Sequence, residues 1–159
     1  MHTRNSITIR YATIEDIKII QDFQIRMEHY IEEEPSPDAV GKAGVEFILS
    51  NSPKHGFYIV AEFGENIAGC LRISFERSVS SNGFFWWIQN VYVHESYRKI
   101  GVFQKLYREV IRLAEEATDV VEIKLHVHTN NPNAIGAYEK AGMAKSSEFV
   151  YIHKMKMNE

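Results

Sequence analysis

The sequence predicts an α/β fold: a single domain over residues 1–159 with a mixed sheet of about six to seven strands flanked by about four helices. Three observations carry that expectation. Segments with period-two apolar alternation are interleaved with segments at helical spacing. One run, FFWWIQNVYV (84–93), reads as apolar along its length, as a strand covered on both faces should. The chain is 45% hydrophobic and 25% charged, with no internal repeat, low-complexity stretch or dividing linker.

Each element has its own signal. ITIRYA (7–12) alternates and is rich in β-branched residues, a first strand. Thr13 and Asp16, three apart, have the form of a capping box. Ile17, Ile20, Phe23, Gln24 and Met27 then follow at helical spacing to about residue 30. EEEPSPDAVGKAG (32–44), with its prolines and glycines, is a loop leading into a second helix near 38–50 that ends at SNSPKHG. GFYIVAEF (56–63) and IAGCLRISFE (67–76) flank the turn GEN and form a hairpin. The loop SVSSNG precedes the central strand 84–93. VFQKLYREVIRLAEEA (102–117) is an amphipathic helix, and VVEIKLHVH (120–128) is a further strand. NPNAIGAYEKAGM (131–143) is a short helix closing at Gly142, and FVYIHKMKM (149–157) alternates as a last strand.

Several function classes fall away. The net charge of −3 gives no basic footprint for nucleic acid. MHTRNSITIR lacks an apolar leader, and no run approaches the roughly 20 apolar residues that cross a bilayer, so no membrane association and a cytoplasmic location are expected. Cys70, the one cysteine, has no internal disulfide partner, and its setting IAGCLRI suits a buried, reduced thiol. The histidines are scattered without ligand spacing, so no metal site is expected.

The stretch with chemical content is VYVHESYRKIGVFQKLY (91–107), where a strand hands over to a helix through Arg98, Lys99 and Gly101. A helix start leaves backbone N–H groups without helical partners and carries a partial positive charge. A glycine lets a ligand approach the backbone, and two basic side chains add full charges, which together suit a pyrophosphate. A plain helix start with solvated basic residues satisfies the same pattern. The chain contains no GxxxxGK[ST] loop and no GxGxxG fingerprint, which argues against a nucleotide or dinucleotide site of those kinds.

Two motifs bear a family resemblance. Tyr97-Arg98-Lys99-Ile100-Gly101-Val102-Phe103 resembles the (Q/R)-x-x-G-x-(G/A) acyl-CoA signature of the GNAT family of N-acetyltransferases. Downstream, the segment from Asn131 to Met143 is similar to that family's N-x-x-A-(I)-x-x-Y-x-x-x-G-F, with Met143 in place of the usual Phe. The order of the elements resembles the family's too, so the resemblance covers nearly the whole chain. It implies a fold in which strands four and five splay to admit the pantetheine of acetyl-CoA. It implies a co-substrate, acetyl-CoA, with no metal, and direct transfer of acetyl to a primary amine, small-molecule or peptide, in a ternary complex. It also admits a homodimer, since dimers are common in the family.

The resemblance distributes roles. The turn Arg98, Lys99, Ile100, Gly101, Val102 and Phe103 would cradle the pyrophosphate, with Asn131 of the second motif in the cofactor site. Phe103 stands where the family has a small residue, and the expectation is that its side chain turns into the core beside Val102 and Leu106. Backbone groups of Val91 and Val93 would pair with the pantetheine, and the Val91 N–H would bind the oxyanion. Tyr138 would protonate the leaving thiolate. Gln89 stands where many members carry a glutamate base, and an amide cannot take a proton at neutral pH. Gln89 would then orient water or substrate. The family's ribosomal-protein acetyltransferases take a base from the fifth strand, at the position held here by His126. An imidazole suits proton removal near pH 7. His128 is two residues on, and alternation would put both on one face, where ordinary solvent-facing histidines also sit.

Other features are weaker. Alternation separates Phe85, Trp87 and Gln89 from Phe84, Trp86 and Ile88, one set for the core and one for an acceptor wall. Glu32, Glu33 and Glu34 could attract a cationic amine, or form a solvated charge run. His94 and Glu95 read as surface residues. Because of Gln89, a coenzyme A-binding sensor or interaction module without turnover stands as the alternative to an enzyme.

Overall fold

The computed structural model describes residues 6–31 and 34–156. The chain falls into two compact units, residues 1–126 and 127–159.

The first unit is built on a sheet of five strands, the number found among the described residues: β1 (Ile7–Tyr11), β2 (Phe57–Phe63), β3 (Asn66–Ser78), β4 (Gly83–Val93) and β5 (Val120–Leu125). Their spatial order is the chain order. The first four are antiparallel neighbours, and β5 runs parallel to β4. A parallel neighbour needs a crossover, which helix α3 (Val102–Ala117) supplies. Helices α1 (Ile17–Ile31) and α2 (Asp38–Ser50) lie between β1 and β2 in the chain. The capping box forms as its sequence predicts: the Thr13 N–H donates to Asp16 Oδ2 at 2.8 Å and the Thr13 hydroxyl accepts from the Glu15 N–H at 3.3 Å.

Two cores form, one on each face of the sheet. On one face Val102, Leu106 and Val110 of α3, spaced at i, i+4 and i+8, meet Leu71, Ile73, Trp86 and Ile88. On the other, Ile20 and Phe23 of α1 and Val45 of α2 meet Tyr58, Val60 and Cys70. Strand alternation sorts each residue: Leu71 and Ile73 face α3, whereas Cys70 faces α1 and α2. Gly69 sits where α3 comes closest to the sheet; a Cβ there would lie 2.6 Å from the Tyr92 carbonyl oxygen and 3.3 Å from Val102 Cγ1.

The described part of the second unit is a short helix, α4 (Pro132–Lys140), followed by chain without regular structure. Asn131 caps α4, its side chain accepting from the Ala134 N–H at 3.2 Å, and Pro132 occupies the first helical position. Beyond the helix Gly142 takes φ +103°, and the Met143 N–H returns to the Tyr138 carbonyl at 3.1 Å. That is the helix stop its glycine predicts.

Three expectations need correction. Among the described residues the sheet has five strands rather than six to seven. Residues 149–156 form no strand, and Phe149, Tyr151 and Ile152 are exposed; alternation marks a half-buried strand only where another strand completes its ladder. Met157, and with it the end of that segment, lies outside the described residues, as do Glu32 and Glu33. Finally, β5 stops at Leu125, so His126 and His128 lie beyond the strand and share no strand face. The reason is in β4: its last pair with β5 is Ile88 with Leu125, after which β4 runs on beside β3 alone.

Candidate active site

Strand β4 changes character at Asn90. The register with β3 pairs Gln89 with Arg72 and Tyr92 with Cys70, so Asn90 and Val91 together oppose Leu71. This two-against-one arrangement is a β-bulge, and Asn90 takes φ +54° to make it. Asparagine tolerates the left-handed region better than most residues. Val91 thus sits at the bulge, past the last pair with β5 and skipped by the register with β3. Its side chain and that of Val93 pack on the α3-side core, as their sequence pattern predicts.

A polar chain holds the bulge from the α1–α2 side. Arg72 Nε donates to Asn90 Oδ1 at 2.8 Å, and its Nη2 donates to Gln89 Oε1. Asn90 Nδ2 donates to Gln24 Oε1 at 3.0 Å, and Gln24 Nε2 donates to Glu28 Oε1 at 2.7 Å. The other oxygen, Glu28 Oε2, is buried and accepts from no described residue. Gly41 of α2 makes room for that carboxylate: a Cβ there would stand 3.2 Å from Glu28 Oε1. Sequence reasoning missed Arg72, Asn90, Gln24 and Glu28. For Arg72 and Asn90 the one local signal is a polar residue inside an apolar strand; Gln24 and Glu28 lie on α1, and the partners are up to 66 positions apart.

Gln89 shares its face of β4 with Phe85 and Trp87, while Trp86 and Ile88 are buried on the α3 side. His126, just past β5, lies flat on Trp87, with ring centroids 4.5 Å apart and planes 22° from parallel. Lys124 extends the ladder, its Nζ 3.6 Å from the Phe85 ring centroid and 5.6 Å from that of Trp87. The structure therefore brings His126 against Trp87, which stands on the strand that carries Gln89.

The strand-to-helix turn follows β4. A short 3₁₀ turn, Glu95–Tyr97, opens with His94 accepting from the Ser96 N–H at 3.1 Å through Nδ1. Arg98 Nε donates to the Val93 carbonyl at 3.0 Å, which pins the guanidinium back over the strand end. Lys99 and Gly101 both take left-handed backbone, φ +66° and +90°. Helix α3 then starts at Gly101 with no side-chain cap, and its first helical bond is from the Lys105 N–H to the Gly101 carbonyl at 3.1 Å. Val102 is buried, but Phe103 is only half-buried and lies 6.0 Å from the Tyr107 ring along the helix. The expectation that Phe103 enters the core is thus corrected. Phe103 stands on the first turn of α3 against the Tyr107 ring, and it is not among the residues packed on the core that Val102, Leu106 and Val110 form.

In the second unit Asn131 and Tyr138 belong to α4. Burial raises the Tyr138 hydroxyl above the usual phenol value. His128 is exposed, and its Nδ1 accepts from the Asn130 N–H at 3.3 Å in the turn before α4. That bond ties up a ring nitrogen a base would need. Among the described residues, no group of three or more His, Cys, Asp or Glu side chains could hold a metal ion. No described helix is long and apolar enough to cross a membrane.

Residues 19–143 match the Acetyltransferase (GNAT) family. No curated protein matches the chain. Among solved structures, a possible acetyltransferase from Clostridium difficile 630 is 27% identical with a TM-score of 0.87, covering 95% of this chain and 99% of its own. A predicted acetyltransferase from Clostridium acetobutylicum, solved with acetyl-CoA, is 19% identical with a TM-score of 0.75, covering 93% and 96%. An aminoglycoside acetyltransferase from an uncultured soil metagenomic sample, in complex with sisomicin, is 16% identical with a TM-score of 0.76, covering 94% and 97%. At those last two identities the likeness is one of fold.

Proposed function

The chain belongs to the GNAT acetyltransferase family, and from that premise we propose that it transfers acetyl from acetyl-CoA to a primary amine in a ternary complex. The observation that carries the reading is the uncapped start of α3 behind two left-handed residues, Lys99 and Gly101, at the end of a bulged strand that has parted from β5. The donor set there fits a pyrophosphate. It combines first-turn N–H groups outside the helical ladder, a glycine that lets the backbone be approached, and Arg98 and Lys99.

When bound, acetyl-CoA supplies an acetyl group activated as a thioester. The chain's own groups then do the following. Lys99, Gly101, Val102 and Phe103 present backbone N–H groups to the pyrophosphate, with charge from Arg98 and Lys99. Val91 offers its N–H to the carbonyl oxygen as negative charge develops there. His126 takes the proton that the attacking amine must lose, and its ring is held flat by Trp87. Gln89 fixes water or amine through its amide nitrogen, because Arg72 occupies its oxygen. Tyr138 gives its proton to the departing sulfur as the C–S bond breaks. A phenol kept protonated by burial suits that role.

A second reading, a coenzyme A-binding module without turnover, draws on Gln89, which takes up no proton at neutral pH. One experiment tests both. Purified protein with acetyl-CoA and a panel of amines should release free thiol and yield N-acetyl product. Stabilisation by coenzyme A without any thiol release across the panel supports the module instead. A ligand at about a hundred times its dissociation constant adds about 2.7 kcal/mol to native stability, so binding is read directly from unfolding.

A further inference from the structure

Arg72 is a half-buried cation without an anion. It stands in the middle of β3, on the face that α1 and α2 cover, paired across the sheet with Tyr58 and Gln89. Its two hydrogen-bond partners, Asn90 and Gln89, are neutral amides. None of the ion pairs among the described residues includes it.

The neighbours do not supply the missing charge. Tyr58 and Cys70 are held neutral by burial, the thiol pushed up to about 12. Glu28 is reached only through Asn90 and Gln24 in series, and its bonded oxygen is taken by Gln24. Burial also lowers the Arg72 pKa from the usual guanidinium value, the mark of a charge with poor compensation. A guanidinium has five N–H donors, and Nη1 gives to no described residue, yet it is not among the fully buried atoms. A buried charge is costly unless paired, and a planar fork with an open side matches a carboxylate.

Its position gives the site a purpose. The residues Arg72 grips, Gln89 and Asn90, immediately precede Val91 at the bulge. From these observations we infer that Arg72 binds a carboxylate of the acceptor, so that the acceptor is a small amine carrying an acid group, such as a free amino acid, rather than a polycation. The inference rests on the acetyl-transfer reading. It deepens that reading by choosing among amines, since the same cation repels acceptors that carry positive charge alone.

The test uses the full chain with acetyl-CoA and matched amines: the common amino acids and β-alanine, each against its carboxamide, and L-lysine against cadaverine. Thiol release should favour an acid-bearing member over its partner by about tenfold or more in kcat/KM, the worth of one charge-assisted pair. Arg72→Gln should lower kcat for both members, because Gln89 and Asn90 lose the bonds that hold the bulge, and should bring the ratio close to one by raising KM for the acid alone. Arg72→Lys, which keeps the charge and loses the fork, should fall between. A merely structural arginine would lower kcat for both members alike and leave the ratio and the KM of the acid unchanged.

The inference is overturned if no acid-bearing amine is a substrate, if the neutral partners react as well, or if the preference survives Arg72→Gln. Thermal stabilisation by coenzyme A, measured on the same proteins, separates this from failure of the underlying reading. If coenzyme A does not bind, acetyl transfer falls. Stabilisation by the amino acids that vanishes in Arg72→Gln then still decides the role of Arg72, and its persistence there overturns the inference.

Discussion

The imidazole of His126 lies on the indole of Trp87, centroids 4.5 Å apart and planes 22° from parallel, although His126 stands one residue past β5, whose pairing with β4 ends at Ile88 and Leu125. The stack fixes a ring that β5 itself no longer holds. If His126 is the base, His126→Ala should lower turnover by about 10²- to 10⁴-fold and abolish the acid limb of the pH–rate profile. Trp87→Leu keeps the imidazole and loses its support, so the limb should persist while the rate drops. Persistence of the limb in His126→Ala assigns proton removal to water or another group.

Tyr138→Phe removes only a hydroxyl. Turnover should fall about a hundredfold or more with coenzyme A affinity unchanged, as read by steady-state kinetics and by titration. The pH direction follows from burial. The folded phenol loses its proton above the usual value of 10, and an acid works while protonated, so this group imposes no loss of rate below pH 10. An alkaline limb at lower pH that disappears in Tyr138→Phe would contradict this.

Asp16 joins the start of α1 to the sheet. Arg10 donates to both its oxygens, each at 2.8 Å, and the Thr13 N–H adds a third bond. These partners, Arg10 foremost, hold the Asp16 carboxyl below the usual carboxylate value. A depressed folded value contributes stability above the unfolded value, near 4, and that stability is lost as pH falls through the folded value. Asp16→Asn should cost about 1–2 kcal/mol at neutral pH and less below pH 4. Denaturant unfolding at pH 7 and pH 3 checks it; an equal cost at both would remove the charge from the account.

Gly69→Ala should destabilise by about 1–3 kcal/mol, because the new methyl meets a backbone oxygen at 2.6 Å that cannot rotate away. The same methyl presses on Val102, the first residue of α3. Coenzyme A affinity should therefore fall together with the denaturation midpoint. A loss of stability without loss of affinity would show that the turn at Gly101 is insulated from the strand beneath it.

The sequence makes some elements legible because their signals are local. Helix α3 falls at the residues its periodicity predicts, α2 where the loop before it and SNSPKHG after it bound it, and the hairpin of β2 and β3 turns where Gly64 and Glu65 stand. The capping box of Thr13 and Asp16 is equally local. What the sequence hides is non-local. Nothing near Arg72 announces that its partners lie on β4, and nothing near Gln24 announces Asn90. The end of β5 depends on a bulge in another strand, so alternation through His128 reads as strand when the ladder has already ended. Residues 149–156 show the same effect at its strongest, a strand pattern without a ladder.

Cys70 is the chain's one thiol, and it is packed under α1 and α2 with its ionisation pushed up to about 12. Chromogenic disulfides react with thiolates, and a side chain with neither exposure nor ionisation gives them nothing to attack. The folded protein is therefore colourless to such a reagent. Every increment of absorbance in a turnover assay belongs to coenzyme A, and a slow rise in the absence of amine would report unfolding rather than catalysis.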